Sequence, residues 1–399
     1  MKKHIYFFLF SFLCLLAACR KDKLPKDMEP GYFKVYDDQA SANSYRVLDI
    51  RETGDGGALI LSELNNKTIH LVRTAADGRQ MAAAVITNGS HDPLGSLLFI
   101  NGAYYVGAMD ETGLFTRVIR VDENSCSAIS SVDFGALLYP LAFSEAEEGS
   151  MLLLSYDRVN YRSQLSRITP DGQVIWTQNV NVYQDTETQI VAHLNGTGKR
   201  YPFYTATWNG RYVANCFYNY SFSFLTFSAS AQDAVYNGSN YNSGTSAMYA
   251  MENGNAAIAR FSFGQSYLVP SFAPAPGVVD LTDNMGGALI DDAAPDSDFR
   301  FGKIVIANTN YIAYAYNTQN GRVCFSLLDE GGSLKARKYF GSSENPFTIG
   351  NFRATADKGL MVAGSFRVAG SFARPALFKL NEKELYEVVG LDYEKEQKE

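Results

Sequence analysis

Charged residues, histidine and tryptophan are scarce in this 399-residue sequence. Only 19% of its residues are charged and 46% are hydrophobic, which excludes an intrinsically disordered chain. The net charge of -7 argues against a nucleic-acid-binding surface, because such a surface needs clustered Lys and Arg to displace counterions. Phe and Tyr, in contrast, are abundant (26 and 25 residues), and together with Gly, Asn and Ser they favour strands and turns.

The sequence also lacks the common catalytic motifs. No HExxH, GxSxG, SxxK or P-loop pattern occurs, so zinc-protease, serine-hydrolase and nucleotide-hydrolase functions lack support. His70 lies in a predicted strand and is interpreted as structural. An acidic loop over residues 291–298 offers a start for a calcium site, but calcium needs roughly six to eight oxygens, and a solvated loop explains it better. We predict no catalytic residues, metal or cofactor, and we favour a non-catalytic protein while leaving enzymatic activity open.

Cysteine offers little chemistry beyond the N-terminus. Cys126, Cys216 and Cys324 each lie in or beside an apolar stretch, and none has CxxC spacing. Because three is an odd number, at least one of them is unpaired. We interpret all three as buried small hydrophobic residues.

Long apolar runs are missing apart from one at the N-terminus. Lys2 and Lys3 precede an apolar run from Ile5 to Ala18, which is too short to span a ~30 Å hydrocarbon core as a helix. A short basic segment followed by such a run is typical of an export signal. The run ends in Leu16-Ala17-Ala18-Cys19, which resembles the lipobox of bacterial lipoproteins. The resemblance implies a signal peptide over residues 1–18 and acyl chains on Cys19, which hold a protein stably on a membrane when two or more are present.

The residues after Cys19 predict where the protein is anchored. Position 20 is Arg, whereas in the lipoprotein family an Asp there tends to retain the protein at the inner membrane. We therefore predict attachment to the outer membrane, and the charged stretch Lys21-Asp22-Lys23 favours the cell surface. Residues 19–30 comprise the lipidated Cys and a polar tether, whose eleven residues after Cys19 reach at most ~40 Å. The folded part should stay close to the membrane.

The rest of the sequence is a repeat. Short apolar runs follow turns centred on Gly or Asn at seven places, separated by steps of 44 to 61 residues: Gly57, Gly102, Gly149, Gly210, Gly254, Asn310 and Gly359. A second strand-like stretch in most units ends at another turn, such as Asp77-Gly78 or Asp171-Gly172. Since Asn-Gly and Asp-Gly favour tight hairpins, each unit predicts four antiparallel strands, which form one blade of a β-propeller.

We accordingly predict an all-β fold, a single β-propeller domain over residues 31–393 followed by a charged tail over residues 394–399. Seven four-stranded blades are expected, and six or eight stay open because the copies between residues 200 and 300 are degenerate. Closure of the ring has two alternatives: the last outer strand comes from Glu384–Val389 or from Tyr32–Tyr36.

The units resemble the propeller lipoproteins of Bacteroidota. Their blades pair a Gly turn and an apolar run with a second strand that ends in an Asp-Gly turn, and the best matches here are residues 148–176 and 358–380. The resemblance implies the fold and an outer-membrane location, with a TonB-dependent uptake complex as partner and a glycan or peptide as cargo. It implies no activity, because propellers host many functions.

The predicted topology also favours a place for a binding site. Both tight turns of each blade should lie on one face of the disc, here called the turn face, and the looser connections on the other, the loop face. The two longest steps predict insertions near residues 181–200 and 282–300, both between blades and therefore on the loop face. Tyr and Asn side chains suit a sugar or a polypeptide. The candidate ligand-binding residues are Tyr156, Arg158, Tyr161, Tyr183, Tyr218, Tyr220, Tyr236, Asn240 and Tyr241.

The alternative for any one of these Tyr residues is that it packs between blades instead of binding a ligand. The sequence is compatible with three functions. The first function is a lipid-anchored binding protein. The second is a glycoside hydrolase or lyase, which predicts two or three Asp or Glu converging at the loop-face end of the channel. The third is a structural envelope protein, which predicts no concave pocket.

Overall fold

The computed structural model describes residues 31–36, 42–367 and 372–396. Their strands form seven antiparallel sheets in a ring, which confirms the predicted seven-bladed β-propeller. The proposed signal peptide, Cys19 and the tether lie outside the described residues. None of the helices within the described ranges is long and apolar enough to cross a membrane.

Blades 1 to 4 follow each other along the chain, and in each the strands run from the channel outwards. Blade 1 has β2 (Tyr45–Glu52), β3 (Ala58–Leu64), β4 (Thr68–Thr74) and β5 (Gln80–Ile86). Blade 2 has β6 (Ser90–His91) and β7 (Leu97–Ile100) sharing the inner position, then β8 (Ala103–Asp110), β9 (Phe115–Val121) and β10 (Ala128–Leu138). Blade 3 has β11 (Pro140–Glu145), β12 (Met151–Asp157), β13 (Arg162–Ile168) and β14 (Val174–Asn181). Blade 4 has β15 (Tyr204–Trp208), β16 (Arg211–Tyr218), β17 (Ser221–Phe227) and β18 (Gln232–Asn237).

Blades 5 to 7 complete the ring. Blade 5 has β19 (Ser243–Ala250), β20 (Ala256–Ser262), β21 (Gln265–Phe272) and the short β23 (Ala288–Leu289), while β22 (Gly277–Asp280) joins blade 4. Blade 6 has β24 (Phe299–Ile306), β25 (Thr309–Asn317), β26 (Val323–Leu328) and β27 (Leu334–Phe340). Blade 7 has β28 (Phe347–Ala354), β29 (Leu360–Arg367), β30 (Ala373–Leu380) and β1 (Tyr32–Val35). The described helices are α1 (Glu187–Leu194), α2 (Leu281–Met285), α3 (Glu382–Val388) and α4 (Tyr393–Glu396), with single 3-10 turns at Glu147–Gly149 and Gln184–Thr186.

The N-terminal strand closes the ring. β1 pairs antiparallel with β30, so that Tyr32 lies opposite Lys379 and Val35 opposite Ala376. Of the two alternatives the sequence leaves open, Tyr32–Tyr36 is therefore correct. The segment after β30 is helical instead, because Asn381 and Glu384 form a capping box at the start of α3.

The core of the protein lies between the blades. The second strand of blade 1, β3, is buried along its whole length, because both of its faces pack on neighbouring blades. The first tight turn must come close to β4, since a Cβ on Gly57 would lie 2.0 Å from the carbonyl oxygen of Thr74. His70 is buried in β4, as expected of a structural residue. The three cysteines, Cys126, Cys216 and Cys324, are free and buried, which confirms their interpretation.

One of the two predicted insertions lies where it was predicted, and the other does so only in part. Residues 182–203 connect blades 3 and 4 on the loop face, as predicted, and contain α1. The prediction for residues 282–300 is correct only from residue 290, because β23 still belongs to blade 5. Pro274 and Pro276 follow β21 and have no backbone N–H to donate. The chain does not turn directly from β21 into the outer strand of blade 5. It instead reaches blade 4, where β22 pairs in parallel with β18, and then returns through α2.

Candidate functional site

A cavity of about 390 Å³ lies on the axis of the ring, and its wall is formed by the inner strands of six blades and by a loop of blade 2. Its charged lining residues include Arg46, at the loop-face start of β2, and Glu63, near the loop-face end of β3. The inner strand of blade 2 is interrupted by residues 92–96, which also line the cavity. The cavity therefore includes the loop-face part of the channel, and Ser144 and Arg353 extend its lining towards the turn face.

The insertion between blades 3 and 4 covers part of the loop-face end of the cavity, here called the mouth. Glu187 in α1 accepts hydrogen bonds from Arg158 Nε at 2.9 Å and from the Tyr156 hydroxyl at 3.2 Å, which fixes the helix to blade 3. Further along, Lys199 forms an ion pair with Asp296 and lies 4.3 Å from the centre of the Phe261 ring. The insertion thus extends from blade 3 across to the side of the ring formed by blades 5 and 6.

At the mouth, the carboxylate of Glu63 pairs with the guanidinium groups of Arg46 and Arg200. Glu63 Oε2 lies 2.7 Å from Arg46 Nε and 3.4 Å from Arg200 Nη2, and its side chain is only 4% exposed. Burial and the nearby charge of Arg46 lower the pKa of Arg200. The ion pair with Arg200 joins the insertion to blade 1, on the far side of the channel from blade 4.

Two further carboxylates line the same cavity, Asp92 and Asp298. Burial raises the pKa of Asp92, although His91, whose Nδ1 lies 2.6 Å from Asp92 Oδ2, acts in the opposite direction. The hydrolase or lyase hypothesis predicts such acidic residues at this end of the channel, and three are present if Glu63 is included.

His193, near the end of α1, lines the cavity. The backbone N–H of Tyr201 donates to His193 Nδ1 at 2.9 Å. Burial, followed by the charges of Arg200 and Arg46, lowers the pKa of His193 to about 3, so the ring is neutral at pH 7. Because Nδ1 accepts, the proton of the neutral ring is on Nε2. This arrangement does not suit a general base.

Deeper in the channel, Asp49 joins three blades. A β-bulge between Val47 and Asp49 turns this side chain towards the neighbouring inner strands. Its carboxylate accepts from the backbone N–H of Leu97 in blade 2 at 2.8 Å, and from Asn351 Nδ2 and Arg353 Nη2 in blade 7 at 2.6 and 3.2 Å. These contacts are structural, since every partner belongs to the channel wall.

Among the candidate residues from the sequence, Tyr183 and Tyr220 form an exposed pair. Their rings stack with centroids 4.4 Å apart and an interplanar angle of 24°, and they are 53% and 50% exposed. The backbone N–H of Tyr183 donates to the carbonyl of Asn219, which fixes the insertion to blade 4. This pair lies on the loop face, where the sequence places it.

The other candidates have mixed roles. Arg158 is exposed and holds α1 through Glu187. Tyr161 and Asn240 have positive φ angles in loop-face segments, and their carbonyls accept from the backbone of Val182 and Phe222. Tyr218 and Tyr241 are partly buried against the core between blades 3 and 4.

Tyr156 and Tyr236 are corrections to the predicted site. Tyr156 is 1% exposed in β12, with its hydroxyl on Glu187, and Tyr236 is fully buried in β18, with its hydroxyl 2.8 Å from the carbonyl of Ala275. Neither ring is open to a ligand, because both strands pack on the adjacent blade. For these two residues the alternative of packing between blades is correct.

The charged residues at the mouth were missed from the sequence. Glu63 lies in the mostly apolar strand β3, Arg46 lies in β2 among three other charged residues, and Arg200 lies in the insertion. Only Glu63 was therefore marked in the sequence, because a charge in a strand that is buried on both faces has no solvent-facing side. Only the closed ring brings these charges together.

The acidic loop over residues 291–298 is used in contacts to the protein. Asp292 accepts from the Tyr316 hydroxyl at 2.7 Å and from the Tyr339 hydroxyl at 3.1 Å, and Asp296 pairs with Lys199. No group of three or more His, Cys, Asp or Glu that could hold a metal ion occurs in the described part of the chain.

Comparisons with known proteins support the fold. No family model and no curated protein matches the chain. A catalytically inactive virginiamycin B lyase from Staphylococcus aureus, solved with quinupristin, is 8% identical, with a TM-score of 0.51, over 88% of this chain and 99% of its own. A streptogramin B lyase is 10% identical, with a TM-score of 0.50, over 88% and 98%. A Bacteroides caccae protein of unknown function is 11% identical, with a TM-score of 0.36, over 74% and 82%. The similarity to the two lyases shows a shared β-propeller fold.

Proposed function

We propose that this protein is a lipid-anchored binding protein of the outer membrane, which takes a glycan or a peptide into its axial cavity from the loop face. The cavity itself is the observation that carries the proposal. It has about 390 Å³, within the ~300–1,000 Å³ usual for ligand sites, and its mouth has charges of both signs. The hypothesis of a structural envelope protein predicts no concave pocket, so the cavity counts against it.

The entry point of the chain supports an orientation for the anchored protein. β1 begins at Tyr32 opposite Lys379, close to the turn-face end of β30, so the chain enters the propeller on the turn face. A lipid on Cys19 and a tether of at most ~40 Å would keep that face towards the bilayer. The cavity mouth and the Tyr183–Tyr220 pair would then point away from the membrane, where a TonB-dependent uptake complex could deliver or receive cargo.

The anchor is tested by replacing the cysteine. In cells fed a radiolabelled fatty acid, we expect the wild-type protein to take up label and to fractionate with the outer membrane, because two or more acyl chains bind a bilayer stably. Cys19→Ala should lose the label and leave the membrane fraction. Cys14→Ala, within the apolar run, is the matched control and should behave as wild type. An unlabelled wild-type protein would contradict the anchor.

Binding in the cavity is tested by filling it. Ala206 in β15 lines the cavity, whereas Ala229 of the same blade is exposed outside it. We expect full-length protein in mild detergent to bind members of a glycan and peptide panel, and Ala206→Phe to weaken binding at least about tenfold through steric exclusion. Ala229→Phe should bind as wild type. Equal binding by both variants, or a wild-type protein that binds nothing, would contradict the proposal.

A second candidate function rests on Asp92 and Asp298. These carboxylates line the mouth beside Glu63, and the raised pKa of Asp92 is a property that general acids share. Analysis of bound glycans for cleavage products separates the two functions. Products that disappear in Asp92→Asn, with binding retained, would favour a hydrolase or lyase.

A further inference from the structure

Arg300 presents a fixed guanidinium group to the axial cavity. It is the second residue of β24 and lines the cavity wall. Its Nε donates to the carbonyl of Gly350 in blade 7 at 2.6 Å, and its Nη1 donates to the carbonyl of Phe299 at 2.9 Å. These two bonds hold the planar group between blades 6 and 7. The donors on Nη2 have no partner among the described residues.

The other guanidinium groups of the cavity have carboxylate partners. Arg353 pairs with Asp49 at 3.2 Å, and Arg46 and Arg200 share Glu63. Within the described ranges, Arg300 has no carboxylate oxygen within 4.0 Å. Asp298, two residues earlier, forms no ion pair at that distance and acts on Arg200 from further away.

Arg300 is partly exposed to the cavity. A guanidinium group forms stronger hydrogen bonds with a carboxylate than with neutral acceptors. The backbone carbonyls that hold Arg300 carry only partial charges, so Arg300 can still take a carboxylate partner. A ligand in the cavity can supply that group.

We propose that Arg300 is the binding site for a carboxylate group on the ligand of the axial cavity. The inference rests on the proposed function and adds the chemical class of the ligand. A carboxylate can accept two parallel hydrogen bonds from the fork of a guanidinium group, which gives both affinity and orientation. Two sources carry this group, an acidic sugar such as a uronic acid or a peptide with a free C-terminus.

Matched ligand pairs test the inference by calorimetry on full-length protein in mild detergent. One pair is a galacturonic acid trimer and the corresponding galactose trimer, and the other is a tripeptide with a free C-terminus and its C-terminal amide. We expect the carboxylate member of one pair to bind about tenfold more tightly or better, as expected for a hydrogen bond between charged groups. The pair that shows the difference identifies the source.

Three variants assign the preference to Arg300. Arg300→Gln should remove it, and Arg300→Lys should retain part of it, because the charge remains while the fork is lost. Arg322→Gln is the control, since Arg322 belongs to the same blade near the loop face and stacks on Tyr339 at 4.4 Å, outside the cavity. It should keep the full preference. Thermal unfolding of each variant shows that it is folded.

Salt provides a readout that needs no variant. If the ligand carboxylate pairs with Arg300, the preference for the acidic member should decrease between low and high ionic strength, because salt screens a partly exposed ion pair. This result would support the proposal even if Arg300→Gln did not fold.

The outcomes separate the two proposals. Equal binding of acidic and neutral ligands, or a preference that persists in Arg300→Gln, would overturn the carboxylate site and leave the binding function intact. If no member of either pair or of the wider panel binds, both proposals fall together.

Discussion

Deletion of residues 31–36 is expected to unfold the propeller or to lower its free energy of unfolding by about 4–6 kcal/mol. This segment is the outermost strand of blade 7, where Phe33 stacks on Phe378 with centroids 4.1 Å apart. Tyr36 then donates its hydroxyl to the carbonyl of Gly78 in blade 1 at 3.1 Å. Loss of the segment exposes the edge of β30 and removes a contact between the last blade and the first. Since the free energy of unfolding of a domain is only about 5–15 kcal/mol, the propeller should lose a large part of its stability.

Equilibrium urea unfolding of the internal deletion, with residues 1–30 retained, measures this effect. Two substitutions in the same segment are controls: Lys34→Ala, at an exposed position of β1, should change the midpoint little, and Tyr36→Phe should cost about 1 kcal/mol for one hydrogen bond. A deletion variant that unfolds at the wild-type midpoint would show that β1 does not hold the ring closed.

Asp49→Ala is expected to cost about 3–5 kcal/mol, because it leaves donors of three blades without their shared acceptor. The side chain is 1% exposed and accepts from Ile50, Leu97, Asn351 and Arg353. The loss includes the charge of Arg353, whose ionic partner is Asp49. The effect should be read as a shift of the urea midpoint with an unchanged slope.

Two variants separate the contribution of charge from that of shape at this position. Asp49→Asn keeps an acceptor oxygen and should be less destabilising than Asp49→Ala. Glu252→Ala removes an exposed carboxylate that pairs with Lys303, and it should leave the midpoint nearly unchanged. If Asp49→Ala behaved like Glu252→Ala, the inter-blade role of Asp49 would be wrong.

The blades were predictable because their signals are local. A Gly or Asn turn followed by a mostly apolar strand, as at Gly57 and β3, marks a hairpin whose two faces are both covered. The seven copies were therefore recognisable without knowledge of their neighbours. The second insertion was not, since the chain leaves blade 5 through Pro274 and Pro276 to pair with blade 4, and no local pattern marks that partner.

Ring closure and the binding site depend on contacts far apart in the sequence. Tyr32 and Lys379 pair although they are far apart in the sequence, and nothing in the short strand around Tyr32 predicts which strand it pairs with. The capping box at Asn381 was readable, and it would have removed the C-terminal alternative. The composition of the loops placed Tyr183 and Tyr220 on the loop face, where both are exposed, but it could not separate them from the buried Tyr236.

The charged mouth illustrates the same limit. Glu63, Arg46 and Arg200 belong to β3, β2 and the insertion, and they meet only because the ring is closed. Arg300 differs from the other arginines of the cavity because no carboxylate pairs with it among the described residues. This difference can be recognised only when the positions of all its neighbours are known.

The pairing of β1 with β30 also sets an order on biosynthesis. Among the strands of the described residues, the ribosome makes β1 first and β30 last. Blades 1 to 6 can form one after another as the chain lengthens, while the first strand waits for a partner that does not yet exist. The final step is the pairing of β1 with β30, which is slow because it closes a long loop. Until then the nascent protein is an open arc with uncovered sheet edges, and it needs protection from neighbouring chains.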